Sequence, residues 1–173
     1  GCPFNCSYCS SHQVFGKTHR FRSEKNIVKE MRELKEKYHV DGIQFYDESF
    51  TLNRKRVFNL CKEIKKSELN IQWTCFTRVN LVDQEMLNIM ADAGCYQIFY
   101  GIESGVQRLL NLIRKNITLE QTRKAIKMTR KGKIWLIASV ATITVAITAF
   151  FIIRSRRKTG KSIKSKIPSA NDY

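Results

Sequence analysis

The sequence predicts an α/β fold: βα units that stack as a partial (β/α) barrel of the TIM type or as an open α/β layer, the barrel being the expectation taken, followed by a candidate transmembrane helix. Three observations carry this. Apolar runs centred near residues 44, 73 and 99 alternate with amphipathic segments, the pattern of βα units on a parallel sheet. The chain has 173 residues, short of the ~250 that a closed eight-stranded barrel takes. Residues 134–153 form a run of 20 without a single charge, long enough to cross a hydrocarbon core of about 30 Å.

Each element has a local reason. Residues 1–22 are irregular and rich in Cys and Ser. Ser23 caps a helix whose apolar positions Ile27, Val28, Met31, Leu34 and Tyr38 recur at three/four spacing. Asp41-Gly42 turns the chain into a short strand at 43–46. Asn53 caps a second helix with Val57, Leu60, Cys61 and Ile64 on one face, and a strand follows at 71–76. Asp83 caps a third helix carrying Met86, Leu87, Ile89, Met90 and Ala93, which Gly94 ends before a strand at 97–102. Two more helices are expected at 106–113 and 118–131, the second opened by a Thr118/Gln121 capping box and stopped by Gly132. The expected domains are therefore a partial barrel over 1–133, the candidate span over 134–153 and a basic, disordered tail over 154–173.

The uncharged run has a second reading. Eleven of its 20 residues are Ile, Val or Thr, which favours a strand, but buried strands average about 5–6 residues and the length favours the span. Six Lys+Arg precede it in 119–133 and seven follow in 154–166, so the basic flanks give no orientation. A misjoined segment is a third reading.

Net charge is +16, and it is uneven: residues 1–130 hold 22 Lys+Arg against 14 Asp+Glu, while 131–173 hold nine against one. That distribution describes a mildly basic globular part with a basic tail, and it argues against a nucleic-acid-coated body. The six Cys sit among long amphipathic segments rather than in a short loop-rich chain. This points to a reducing, cytoplasmic compartment and a metal, with membrane anchoring only through 134–153. The opening on Gly1-Cys2-Pro3 instead of Met reads as a fragment.

Cys2, Cys6 and Cys9 are spaced Cys-x3-Cys-x2-Cys, and a compact loop can turn three thiols onto one metal centre. Thiolates suit iron–sulfur clusters and zinc. A zinc site would need a fourth ligand, for which His12 is near enough in sequence. With Tyr8 before the last Cys, the loop resembles the cluster motif of the radical S-adenosylmethionine (SAM) superfamily. Asp47-Glu48, Thr77-Arg78-Val79-Asn80 and Gly101-Ile102-Glu103-Ser104-Gly105, each just past an expected strand, extend the resemblance over about residues 1–133. It is closest to the branch associated with an upstream cobalamin-binding domain, within the Elongator/methylthiotransferase-like group.

The resemblance implies a 4Fe–4S cluster on Cys2, Cys6 and Cys9 whose fourth iron takes SAM, cleaved by one electron to a 5′-deoxyadenosyl radical that abstracts hydrogen from a substrate. It places Tyr8 near the adenine, Asp47 and Glu48 at the SAM amino group, and Glu103 and Ser104 at the ribose hydroxyls. Arg78 falls to the SAM carboxylate, to a substrate or to a surface salt bridge. Ser104 also reads as a helix cap. The implied partners are a reductant protein of ferredoxin or flavodoxin type and a small-molecule substrate, with cobalamin only through a domain outside these residues.

Other readings stay open: a tRNA methylthiotransferase-like enzyme, a zinc-binding basic module contacting RNA through Cys2, Cys6, Cys9 and His12, and a non-catalytic membrane-tethered remnant. Cys61 and Cys95 read as core. Cys75 reads as pointing into the barrel, His19 and His39 as surface residues, and the run Asn53-Arg54-Lys55-Arg56 as a solvated helix start.

Overall fold

The computed structural model describes residues 1–139. Six helices and four strands follow one another as α1 (Ser11–Phe15), α2 (Glu24–Tyr38), β1 (Gly42–Phe45), α3 (Arg54–Lys66), β2 (Gln72–Thr77), α4 (Gln84–Asp92), β3 (Cys95–Gly101), α5 (Gln107–Leu112), α6 (Leu119–Lys131) and β4 (Trp135–Ser139). Short 3₁₀ turns follow β1 and β2. The strands form one parallel sheet in the order β1-β2-β3-β4. Each crossover carries a helix, as parallel neighbours require.

Local chemistry starts each long helix. The side chains of Ser23, Asn53, Asp83 and Thr118 each accept the amide three residues on, and Thr118 with Gln121 completes the capping box. A cap of this kind contributes about 1 kcal/mol. Gly94 takes φ +92, and its α-carbon lies so close to the Ile71 carbonyl that an added Cβ would come within 2.6 Å of that oxygen.

One face of the sheet is covered. Trp73, Cys75, Ile98 and Tyr100 are buried there with Val57, Leu60 and Cys61 of α3, Leu87 and Met90 of α4 and Ala125 of α6. Trp73 is fully buried against Phe45 and Phe50, which also touch each other, and its indole donates to the Ala93 carbonyl at 2.7 Å. Cys75 packs beside Cys95 and Cys61, on the helix side rather than into the barrel. Burial pushes the Cys61 thiol up to about 12 and Cys75 well above its ordinary value; both are inert core residues at neutral pH. The opposite face carries Tyr46, Phe76 and Phe99, with rings 5.4 and 4.8 Å apart from strand to strand.

The expected span is corrected at its beginning. Trp135–Ser139 is strand β4, paired with β3 from Gln97↔Trp135 to Gly101↔Ser139. Alternation explains this: Leu136 packs against the core while Trp135 is 76% exposed, a period of two that a helix does not produce. Among the described residues no helix is long and apolar enough to cross a membrane. Residues 140–153, the rest of that run, and the tail 154–173 lie outside the described residues.

Replacing Gly94 by Ala is expected to cost about 2 kcal/mol of unfolding free energy, because the Ile71–Gly94 approach must open; urea denaturation followed by circular dichroism measures it.

Candidate functional site

The carboxyl ends of β1, β2 and β3 point to one rim, because all strands run the same way, and this is where α/β proteins bind ligands. The Cys loop is fastened to that rim at three places. At β1, the Ser11 hydroxyl donates to Glu48 Oε1 at 2.9 Å. Farther on, at the end of α5, the Ser7 amide donates to the Ile113 carbonyl at 3.0 Å. Past β2, Arg78 Nη1 reaches Cys6 Sγ at 3.4 Å. Cys6 is buried, Cys2 and Cys9 are half-buried, and all three are free thiols.

Arg78 is 5% exposed, and every guanidinium nitrogen has a partner. Nε donates to Asn80 Oδ1 at 3.3 Å, Nη1 to Cys6 Sγ and Nη2 to the Lys115 carbonyl, while the plane lies 3.9 Å over the Phe4 ring. It is not a surface salt bridge: it is buried, and among the described residues no carboxylate lies within ion-pair distance of it.

Lys115, which sequence reasoning missed, organises the other half of the site. Its Nζ donates to Glu103 Oε1 at 2.9 Å and to the Tyr8 phenol oxygen at 3.0 Å, and both members of the Lys115–Glu103 pair are largely buried. Burial first, then the Glu103 carboxylate, pushes the Tyr8 phenol well above its ordinary value, which keeps its proton in place. Glu103 holds φ +68, a conformation that costs a residue with a Cβ of order 1 kcal/mol or more and is kept only where surroundings over-determine it. Gly101 makes the room: a Cβ there would lie 2.9 Å from both Glu103 Oε1 and Lys115 Nζ.

The remaining expected residues divide. Glu48 faces the Cys loop; burial raises its carboxyl, but its own amide and the Ser11 hydroxyl outweigh this and leave it below its ordinary value. Asp47 lies 4.0 Å from Arg56 Nη2. The Ser104 hydroxyl accepts from the Val106 amide at 3.0 Å, a local turn ahead of α5; Ser104 is not the helix cap, since the N-cap is Val106 and it has no side-chain cap bond. The solvated reading of the 53–56 run fails at Arg56, which is buried between Phe21 and Phe50 with Nε and Nη1 unpartnered. His19 is partly exposed, with its ring packed edge-on against Phe21 and its Nδ1 shut from solvent. The described side chains hold no group of three or more His, Cys, Asp or Glu close enough to bind a metal as they stand. The loop, rather than a ready-made cage, brings the three thiols to the rim.

Comparisons with known proteins bear on the family and the fold. The profile of the Radical SAM superfamily matches residues 1–148, into and beyond β4. The chain is 40% identical over 131 residues to the "uncharacterized methyltransferase PH0819" of Pyrococcus horikoshii, covering 76% of this chain and 28% of that protein. It is 29% identical over 175 residues to the anaerobic magnesium-protoporphyrin IX monomethyl ester cyclase of Rubrivivax gelatinosus, covering 100% of this chain and 29% of the other. The chain thus spans under a third of the length of these relatives. Among solved structures, the methyltransferase TsrM of Kitasatospora setae, with cobalamin and a 4Fe–4S cluster bound, superposes with a TM-score of 0.70 at 20% identity, over 89% of this chain and 33% of that one. This last likeness is one of fold.

Replacing Lys115 by Met leaves Glu103 buried without its cation and is expected to cost about 3 kcal/mol. The double variant Lys115→Met/Glu103→Gln should recover part of that loss, and a double-mutant cycle by denaturant titration measures the coupling.

Proposed function

Because the chain belongs to the radical SAM superfamily, we propose that it is the core of a larger enzyme that cleaves SAM reductively and uses the resulting radical on a small-molecule substrate. Cys2, Cys6 and Cys9 would hold the 4Fe–4S cluster. Three free thiols on one nine-residue loop suit that group, since thiolates are its usual ligands and a fourth protein ligand would block the iron SAM needs. When bound, the cluster supplies the electron that breaks the SAM sulfonium and leaves a 5′-deoxyadenosyl radical.

This chain's own residues bind, orient and exclude. Glu48, held ionised beside the loop, is placed to take the SAM ammonium as a charge-assisted partner, and Asp47 stands next to it under the buried Arg56. Glu103 is aimed by Lys115 and accepts hydroxyl groups, as a carboxylate does with a ribose diol. Tyr8, fixed through the same lysine, sets the backbone of the loop where an adenine would lie. Ser104 contributes through the turn that places Glu103. The observation that supports the reading is the three-thiol loop tied at Cys6 to Arg78, just after β2, and at Tyr8, through Lys115, to Glu103, just after β3.

The reaction class favoured is methyl transfer, supported by the relatives at 40% and 34% identity, both named methyltransferases: PH0819 and the cytidylyl-2-hydroxyethylphosphonate methyltransferase of Streptomyces wedmorensis. Cobalamin would enter through a domain outside these residues, and the electron through a ferredoxin- or flavodoxin-type protein. Six free cysteines among the described residues accord with a reducing, cytoplasmic setting.

Anaerobic reconstitution with iron and sulfide tests this. The wild-type chain should take up a full cluster, and Cys2→Ala, Cys6→Ala and Cys9→Ala should each lose most of the bound iron. Unchanged iron in any of them, or tight zinc with no cluster, contradicts the reading.

A further inference from the structure

Arg78 is a buried cation without an anion. Among the described residues no carboxylate lies within ion-pair distance of it; its acceptors are the Asn80 side-chain oxygen, the Lys115 carbonyl and the sulfur of Cys6. A guanidinium shut away from water is expensive unless a negative charge compensates it. The neighbour able to carry one is Cys6 as a metal thiolate. One face of the guanidinium lies over the Phe4 ring at 3.9 Å, so a residue of the Cys loop itself screens the charge from solvent.

We infer that Arg78 is the built-in counter-ion of the cluster and sets its reduction potential, rather than a ligand for the SAM carboxylate. This rests on the cluster assignment proposed above. One-electron reduction, the electron coming from an external donor and no proton being taken up, adds one negative charge beside the guanidinium. A fixed positive charge in a low-dielectric site favours that more negative state. An N–H···S bond to a ligand sulfur acts in the same direction, and both are recognised determinants of cluster potential. The Nη2 bond to Lys115 gives the arrangement a further consequence. Lys115 presents its carbonyl to Arg78 and its ammonium to Glu103 and Tyr8, so the group that tunes the cluster and the group that aims Glu103 share one residue.

The test is an EPR-monitored redox titration of the reconstituted 173-residue chain as wild type, Arg78→Gln, Arg78→Lys and Phe4→Leu, with iron and sulfide measured in each. Arg78→Gln, which removes the charge, should hold its cluster at a more negative midpoint potential. Arg78→Lys, which keeps charge but loses the planar fork, should fall between. Phe4→Leu, which keeps the hydrogen bonds but uncovers one face of the cation, should shift the same way by less. A wild-type potential in every variant that retains a cluster overturns the inference and leaves the cluster assignment standing. Loss of the cluster from all three variants, with the wild type loaded, makes Arg78 a mere fold element and overturns it too. Absence of a cluster from the wild type removes the assignment on which it rests.

Discussion

The Arg78 guanidinium is the tie on which the arrangement of the site depends. An irregular loop of small and polar residues has little apolar surface to bury, and loops of that kind stay mobile unless something beyond their own packing anchors them. Here the anchor is a planar cation placed immediately after β2, reaching the loop through Cys6 and Phe4 and the α5–α6 connection through Lys115. Arginine suits the task because its donors fan out in a fixed fork, so that one side chain fixes several partners relative to one another. A lysine in the same place would supply the charge but not the geometry.

The parallel sheet is what makes so few contacts sufficient. Four strands running in the same direction in sequential order put the residues after β1, β2 and β3 on one rim, although they are about 25–30 residues apart in sequence. Glu48, Arg78 and Glu103 then need only short reaches to meet the loop or its neighbours. The strained backbone at Glu103 and the bare α-carbon of Gly101 belong to the same design. Burial of the covered face stabilises the scaffold, and part of that stability is spent holding one carboxylate in a conformation it would not adopt alone.

Much of this was legible because it is local. Helix starts at Ser23, Asn53, Asp83 and Thr118 are written in a cap and the residues three and four places on, and the structure uses each cap. Strand β4 was not legible, because it opens an uncharged run of 20 residues whose length invited a membrane reading. Lys115 was invisible for a different reason. It sits 107 residues from Tyr8, in a stretch that reads as Arg-Lys-Asn on the surface, and only tertiary contact reveals that its amine is buried. Arg56 escaped in the same way: a basic run at a helix start is normally solvated, and nothing in 53–56 says that Phe21 and Phe50 will enclose its third cation. Arg78 was singled out, but its protein partners were not legible, since the Lys115 carbonyl and the Cys6 sulfur lie 37 and 72 residues away.

The relatives by sequence include proteins named as methyltransferases and a magnesium-protoporphyrin IX monomethyl ester cyclase, so one core sequence goes with more than one named reaction. The claim underneath is that one iron of a three-thiolate cluster stays open to SAM. The most direct measurement is the low-temperature EPR spectrum of the dithionite-reduced, cluster-loaded chain before and after SAM is added. SAM taking the open iron predicts changed g-values, and an identical spectrum at saturating SAM would contradict it.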